Sequence, residues 1–287
     1  GAAGRNTTII RANYRTPEGA AFYKESVKLY EHLSQDLDFN LMFSQHGHFT
    51  LAHSDRSLVV QNERAEVNKL LGINSRVIDR DEVIGEQPGP LPVVLAMSRP
   101  VPEDGREQRV LVVGDGDFVS NPQISIGDDV TWPIQGALYH PPGGIIRHDA
   151  VVWGYAKQVG RAGIDIHQGV EVTGIDVRDG RCHGVKTNQG DISAGVVLSA
   201  TAGWSSPVAK LAGLKLPITT SILQAFVTEP VKPFLDKIIV SAQMHIYCSQ
   251  TDRGEFLIGA EVEPYPTYSN KGTFPFIEYA SRHILEL

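Results

Sequence analysis

The sequence contains little cysteine, no long apolar run and no excess of basic residues. Cys182 and Cys248 are the two cysteines among 287 residues, too few for a disulfide framework, which predicts a reducing, cytoplasmic location. No segment approaches the roughly 20 apolar residues of a membrane-spanning helix, and no signal-peptide pattern opens the chain, so we expect no membrane association. The 26 Lys and Arg against 33 Asp and Glu give a net charge of -7, which excludes a generally basic surface for nucleic acid.

Several catalytic motifs are also missing. The sequence has no GxSxG nucleophile elbow, no HExxH or CxxC motif and no GxxxxGK[ST] phosphate-binding loop. A hydrolase or a nucleotide-hydrolysing enzyme therefore has no support. The chain opens with GAAGRNTTII, without Met, and stops at ILEL within a helix-like stretch, so we expect it to be part of a longer protein.

Apolar residues recur at helical spacing in three segments, each with a polar residue at its start that can cap a helix. The predicted helices and caps are 16–37 with Thr16, 54–71 with Ser54, and 149–162 with Asp149. In addition, DRDE at 79–82 resembles a capping box before a short helix.

Strand patterns fill most of the remaining chain. Residues 41–53 alternate like a half-exposed strand, and short strands flank the turn at Asp179-Gly180. The GVVLSA run at 195–200 predicts a buried strand, and the last third of the chain is mostly antiparallel strand by pattern. The order of these elements predicts a mixed α/β fold with two interleaved layers.

Arg11 and His148 have surroundings suited to anions. Arg11 follows small and polar residues and the apolar pair Ile9-Ile10, and an arginine beside such a loop can hold a carboxylate with two parallel hydrogen bonds. The alternative is a surface arginine in a solvated loop. His148 stands at the start of a predicted helix, near the positive end of its dipole, which suits an anion or an electron-rich cofactor. The alternative is a histidine with local hydrogen bonds only.

Two further features carry weaker signals. His46 and His48 share a strand face, with His53 nearby, but no third ligand at a recurring spacing supports a metal site, which favours polar positions on a half-exposed strand. The VVLSATAGWSS run at 196–206 ends in small residues that allow backbone to approach a ligand closely, or it is an ordinary exit from a strand.

Residues 89–121 interrupt the pattern with a strand–loop–strand stretch that contains RVLVVGDGDF. The GDGD turn has neither the spacing of an EF-hand nor the lysine of a phosphate-binding loop, which disfavours a metal or phosphate site. The stretch weakly resembles an ABC-transporter auxiliary protein of the gliding-motility type. We therefore interpret 89–121 as an insertion, either a foreign piece in a hybrid chain or a natural loop insertion, which a surface site would tolerate.

Six segments stand out in their order along the chain: GRNTTIIRANY, FSQHGHFTLAHS, GALYHPPGGIIRHDAVVWGYA, GVEVTGIDV, GVKTNQGDI and HIYCSQTDRGEFLIGAEVE. Together they resemble the β subunit of heterotetrameric sarcosine oxidase, within the D-amino-acid-oxidase-like flavoprotein superfamily. GRNTTIIR and RHDAVVWGYA are the specific pieces.

The resemblance implies two domains that exchange segments along the chain. An incomplete glutathione-reductase-like FAD-binding domain takes 1–39 and 147–206. An antiparallel-sheet substrate domain takes 40–146 and 207–287, with 89–121 inserted into it.

The resemblance also implies roles for individual residues. Arg11 matches the arginine that binds the substrate carboxylate over the flavin, and His148 matches the histidine that holds FMN covalently. The residues implied to bind FAD are Val170 and Val172 at the adenine, Ala200 and Gly203 near the pyrophosphate, and Arg5, Asn6 and Thr7 in the loop before Arg11.

The implied reaction is the oxidative demethylation of sarcosine to glycine, with hydride transfer to FAD, then to FMN and O₂. The other sarcosine oxidase subunits are the implied partners. Other members of the superfamily that oxidise dimethylglycine or D-amino acids are the enzymatic alternative.

Two parts of the family pattern are absent from this sequence: the N-terminal GxGxxG unit and the C-terminal part that closes over the flavin. We therefore expect this chain alone to bind FAD poorly or not at all. A non-catalytic, truncated or chimeric module is the alternative from another functional class.

Overall fold

The computed structural model describes residues 7–85, 94–100, 107–113, 133–262, 265–285 and 287. This part of the chain contains six α-helices, with a short 3-10 turn, Ala202–Trp204, before the fifth. The helices are α1 (Pro17–Asp36), α2 (Asp55–Leu70), α3 (Arg80–Gly85), α4 (His148–Arg161), α5 (Ser205–Leu211) and α6 (Phe274–Leu285).

The same residues form fourteen strands, grouped in one large sheet and three small ones. The strands are β1 (Ile9–Ile10), β2 (His48–Ala52), β3 (Arg76–Asp79), β4 (Val94–Pro100), β5 (Glu107–Val113), β6 (Gly136–His140), β7 (Gly144–Ile145), β8 (Val172–Arg178), β9 (Arg181–Thr187), β10 (Ile192–Ser193), β11 (Leu223–Val227), β12 (Ile238–Ser241), β13 (Ile246–Gln250) and β14 (Phe256–Val262).

The large sheet has seven strands in the order β11-β14-β13-β12-β2-β6-β3. Within it, β12 and β2 run parallel, with Ile238 opposite His48, and the other neighbours are antiparallel. A parallel pair needs a long crossover, and here the chain from β2 to β12 supplies it. The sheet therefore joins strands from two distant parts of the sequence. The mixed α/β class predicted from the sequence is confirmed.

The first two helices begin at their predicted capping residues. The Thr16 side chain accepts a hydrogen bond from the Gly19 N–H at 3.2 Å, and Pro17 takes the first helical position, where its missing N–H is not needed. Ser54 and Ser57 form a reciprocal capping box at the start of α2, with N···O distances of 2.9 and 3.2 Å.

Two short-range predictions are also confirmed. The Asp79 carboxylate accepts from the Glu82 N–H at 2.8 Å, and the Glu82 side chain accepts from the Asp79 N–H at 3.2 Å, which is the predicted capping box of α3. Asp179 and Gly180, with φ of 48° and 72°, connect β8 to β9 in a tight turn.

The prediction of a half-exposed strand over 41–53 is wrong. The strand covers only β2, and all five of its residues are buried, because β2 lies between β12 and β6 and α2 packs against it. His48 is therefore fully buried, whereas His46, before the strand, is exposed.

Two other local predictions are wrong. Asp149 does not cap α4: the helix starts at His148, and Arg147 in the N-cap position holds the Asp149 carboxylate at 2.8 Å within the first turn. Residues 195–200 form no strand, and Val196 and Leu198 are 84% and 89% exposed, because no described strand pairs with them.

The three small sheets lie outside the large one. β1 pairs with β7 in a two-stranded ribbon, and β8, β9 and β10 form an antiparallel meander. β4 and β5 pair antiparallel within 89–121, as the strand–loop–strand pattern predicts; the rest of that stretch lies outside the described residues.

Apolar clusters fix the large sheet and the ribbon. The largest packs α6 against β13 and β14 through residues such as Ile258 and Ala280, both 0% exposed. Another joins Leu41 to Ile146 and Ala150, and so anchors the start of α4. None of the described helices is both long and apolar enough to cross a bilayer.

Candidate functional site

Arg11 follows β1 directly, and its guanidinium is half-buried. Its Nη1 donates to Asn13 Oδ1 at 3.3 Å, and its guanidinium carbon lies 4.7 Å from the centroid of the Tyr14 ring. Tyr14 in turn stacks on Tyr23 of α1, with ring centroids 4.0 Å apart. These contacts hold the guanidinium from one side and leave several of its five N–H donors for a ligand. Arg11 does not lie in a solvated loop.

The surroundings of Arg11 are positively charged. Burial lowers the pKa of Arg11, and burial with repulsion from Arg11 and Arg15 lowers the pKa of Arg64 to about 10. Among the residues that the structure describes, no carboxylate forms an ion pair with Arg11. A partly desolvated guanidinium without a protein carboxylate favours an anion from solution.

His140 lies behind the Arg11 segment in its neutral form. Its Nε2 accepts a hydrogen bond from the Ala12 N–H at 3.2 Å, so the ring proton is on Nδ1, which donates to the Asn74 carbonyl at 2.8 Å. Burial lowers the pKa of His140 to about 4. The backbone beside Arg11 is thus fixed by a histidine that stays uncharged at neutral pH.

We expect the folded state to lose stability as the pH falls from about 6.5 towards 4. The unfolded state takes up a proton on His140 below the ordinary pKa of 6.5, whereas the folded state resists it until about 4. This difference removes about 3 kcal/mol from the free energy of unfolding. Urea unfolding at several pH values measures it. His140→Gln should reduce this dependence by the contribution of His140, and the buried His48, whose pKa burial also lowers, should keep the remainder. His46→Gln should leave the dependence unchanged. A flat profile between pH 7 and 5 for the parent would contradict the prediction.

The histidines do not meet at a metal. His46 is exposed, His48 Nδ1 lies 3.4 Å from Asn13 Nδ2, and His53 Nε2 lies 2.8 Å from Ser241 Oγ. No group of three or more His, Cys, Asp or Glu side chains suited to a metal ion occurs in the described ranges. The weak metal hypothesis for His46 and His48 thus gains no support there.

His148 is the first residue of α4 and is half-buried. The preceding Arg147 pairs with Asp149 at 2.8 Å and with Asp252 at 3.1 Å, which ties the start of the helix to the turn after β13. Arg147 makes no side-chain capping bond to the helix. The positive end of the α4 dipole therefore lies beside His148, a suitable place for an anionic group.

The ribbon of β1 and β7 places Arg11 and His148 at opposite ends. Ile9 pairs with Ile145 in antiparallel register. Continuing that register puts Arg11 level with Gly143, about five residues or 16 Å of extended chain from His148. The two residues thus flank one small ribbon, on opposite sides of its paired positions.

Tyr247 of β13 interacts with Thr7, one of the loop residues implied to bind FAD, and no sequence signal indicated this contact. Its phenol is hydrogen-bonded to the Thr7 side chain; burial raises its pKa, and Thr7 opposes that shift. A Cβ on Gly259, which pairs with Tyr247 across β13 and β14, would lie 2.0 Å from the phenol ring, so glycine is required there. Arg5 and Asn6, the other loop residues implied to bind FAD, lie outside the described residues.

The remaining residues implied to bind FAD occupy two exposed segments. Val172 begins β8, the edge strand of its meander, and is 39% exposed; Val170 precedes it and is half-buried. Ala200 is exposed, and the Gly203 carbonyl accepts from Thr220 Oγ1 at 2.7 Å. An open strand edge and a loop of small residues offer backbone N–H donors and C=O acceptors, a combination that fits a nucleotide.

Almost the whole chain matches one protein family. The model of the FAD-dependent oxidoreductase family, DAO, matches residues 1–113 and 120–287. The chain belongs to this family. The resemblance found from the sequence is therefore confirmed, and FAD is the cofactor of the family. The match includes residues 89–113, and the interpretation of 89–121 as an insertion stays a hypothesis.

Curated relatives support the same assignment. The chain is 38% identical over 281 residues to the sarcosine oxidase subunit beta of Rhizobium meliloti and 37% identical over 284 residues to that of Arthrobacter sp.. These alignments cover 98% and 99% of this chain but 59% and 62% of the relatives. The chain thus spans about three fifths of the length of these proteins.

A solved structure shows the same fold. The L-proline dehydrogenase of P. horikoshii superposes with a TM-score of 0.75 over 97% of this chain and 64% of its own, at 22% sequence identity. At that identity the likeness supports the fold and not the substrate.

Proposed function

We propose that this chain supplies the substrate anchor and part of the flavin site of an FAD-dependent oxidase that demethylates sarcosine to glycine. The observation that carries the proposal is Arg11, a half-buried guanidinium with no described carboxylate partner. The relatives named sarcosine oxidase subunit beta, at 37–38% identity, favour sarcosine over other small amino acids.

Arg11 binds the carboxylate of the substrate through two parallel, charge-assisted hydrogen bonds. Its contact with Asn13 and its position over Tyr14 limit the directions in which the guanidinium can turn. Fixing one end of a small amino acid in this way orients its amine and methyl group, which contributes to catalysis through positioning.

A flavin, when bound, accepts a hydride from the N-methyl carbon, and water then converts the resulting imine to glycine and formaldehyde. The backbone at Val170 and Val172 would contact the adenine of FAD, and the loop from Ala200 to Gly203 would hold the pyrophosphate. Thr7, which interacts with the Tyr247 phenol, would contribute to the flavin site from the loop before Arg11.

The same proposal assigns His148 to covalent attachment of FMN, with the phosphate near the positive end of α4. Lys and Arg side chains of another subunit complete that pocket. The separation of His148 from Arg11 along the ribbon is consistent with two flavins that have different tasks. The free thiols of Cys182 and Cys248 support a cytoplasmic location for the assembly.

Anaerobic mixing of the flavin-loaded enzyme with single amines tests the function. Sarcosine should bleach the yellow absorbance and release glycine and formaldehyde, detected by mass spectrometry. Dimethylglycine and D-alanine should react roughly 10-fold more slowly or worse, because each changes the groups around the reacting carbon. Faster bleaching by D-alanine would instead support the wider amino-acid-oxidase alternative.

One observation favours a second, non-catalytic candidate. Val196 and Leu198 are 84% and 89% exposed, and such apolar surface favours association with other polypeptide. If the chain is only a binding module, its size in solution should not depend on added FAD, and no amine should bleach a flavin in its complexes.

A further inference from the structure

Asn13 is fully buried and contacts three charged or titratable side chains. Its Oδ1 accepts from Arg11 Nη1 at 3.3 Å, its Nδ2 lies 3.4 Å from His48 Nδ1, and its backbone carbonyl accepts from Arg64 Nη2. An amide that donates on one side and accepts on the other has a single orientation here, because a flipped amide would turn its N–H groups towards the guanidinium.

This orientation fixes the proton on His48. Since Asn13 Nδ2 donates, His48 Nδ1 must accept, and the ring proton is on Nε2. Burial, followed by the nearby charge of Arg11, lowers the pKa of His48 well below 6.5, so the ring stays neutral. A protonated His48 would present an N–H to Nδ2 and break the contact.

Buried polar side chains lie where β2 and α2 pack together, and two of them, His48 and Arg64, contact Asn13. Five of their atoms are buried without a hydrogen-bond partner among the described residues, and each such atom lowers stability. These atoms are His48 Nε2, Thr50 Oγ1, Gln61 Oε1, Arg64 Nε and Asn68 Oδ1.

An apolar contact between β2 and α2 would be more stable than this polar one. Buried polar groups that lower the stability of the folded state are typical of functional sites. The function nearest to these groups is the orientation of Arg11.

We propose that Asn13, itself held by His48 and Arg64, is a positioning residue that orients the Arg11 guanidinium towards the carboxylate of the substrate. This inference rests on the proposed function for its substrate, but the contact between Asn13 and Arg11 is independent of it.

The first test needs no variant. NMR of ¹⁵N-labelled histidine in the holoenzyme should show His48 as the neutral form protonated on Nε2 at pH 7 and still neutral at pH 5.5. A ring protonated on Nδ1 would overturn the proposal, because Asn13 could not then donate to it.

The second test compares Asn13→Asp with Asn68→Asp. Both variants place a carboxylate at a fully buried asparagine of the same contact, but Asn68 donates to Ser75 and does not touch Arg11. Asn13→Asp should pair with Arg11, raise KM for sarcosine by roughly 30-fold with little change in kcat, and move the His48 proton to Nδ1. Asn68→Asp should leave both measurements close to those of the parent; equal effects of the two variants would overturn the proposal.

A third measurement separates this proposal from the proposed function. Labelling of Arg11 by an arginine-specific dicarbonyl, followed by mass spectrometry, should slow at least 5-fold in Asn13→Asp without any substrate present. If the parent enzyme oxidises no amine but labelling slows, the function is wrong and the positioning stands. If sarcosine is oxidised and labelling is unchanged, the positioning is wrong. Should Asn13→Asp not fold, Asn13→Ser, whose shorter side chain loses the contact with Arg11, should raise KM for sarcosine by a smaller factor without slowing the labelling of Arg11; an unchanged KM would overturn the proposal.

Discussion

Replacing Arg11 by alanine is expected to lower kcat/KM for sarcosine by roughly 10³-fold in the flavin-loaded enzyme. Two hydrogen bonds between charged groups contribute about 1.5–3 kcal/mol each when they are partly shielded from water. Arg11 is half-buried and has no described carboxylate partner, so its loss is not compensated nearby. Steady-state kinetics with sarcosine measures the effect.

Two variants distinguish specific binding of the carboxylate by Arg11 from a general effect of positive charge. Arg11→Lys keeps the charge but loses the planar pair of donors, and should recover only part of the activity. Arg15→Ala removes an exposed cation of the same positive region and should change kcat/KM less than 3-fold or so. An Arg15 effect as large as that of Arg11 would mean that the region acts only through its overall charge.

The substrate itself provides another control. A methylated amine without a carboxylate, such as N-methylethylamine, should be a poor substrate for the parent enzyme. Its rate with Arg11→Ala should be similar to its rate with the parent enzyme, because this amine has no carboxylate for the Arg11 guanidinium to bind. If Arg11→Ala lowers the rate with this amine as much as it lowers the rate with sarcosine, Arg11 acts on the protein structure and not on the carboxylate.

Local chemistry explains the parts of the fold that could be predicted from the sequence. Thr16, Ser54 and the pair Asp79 and Glu82 act within four residues of the helices that they cap, so their spacing is sufficient evidence. The same holds for the turn at Asp179, where the residue types match the required backbone angles.

Contacts between distant segments explain the parts that could not. His48 has the spacing of a half-exposed strand residue, but β12 and α2 cover it from parts of the chain that no local pattern connects. Tyr247 interacts with Thr7, which is far from it in the sequence, so only the folded chain brings the two together. The run at 195–200 has a strand composition but no described neighbour with which to pair.

Asp149 shows how a local rule can be overridden. Its residue type suits a helix cap, but the Arg147 guanidinium holds the carboxylate at 2.8 Å, and the helix starts one residue earlier. That shift makes His148 the first helical residue. It also places the imidazole at the positive end of the dipole instead of in the loop before it.

Replacing His148 by alanine is expected to abolish covalent FMN while leaving the binding of sarcosine intact. Because Arg11 lies at the other end of the β1–β7 ribbon, KM for sarcosine should change less than about 3-fold. Anaerobic reduction by sarcosine should persist, whereas the return of electrons to O₂ should slow by roughly 10-fold or more. Mass spectrometry of the peptide that contains His148, with and without acid precipitation, detects the adduct.

His167, an exposed histidine after α4, provides the matched control. His167→Ala should keep the full adduct and normal turnover, because its side chain is remote from the start of α4. Covalent flavin that persists in His148→Ala would show that another residue holds it. A KM that rises with the loss of the adduct would show that the two ends of the ribbon form one site, in which case Arg11 and His148 could not serve separate flavins.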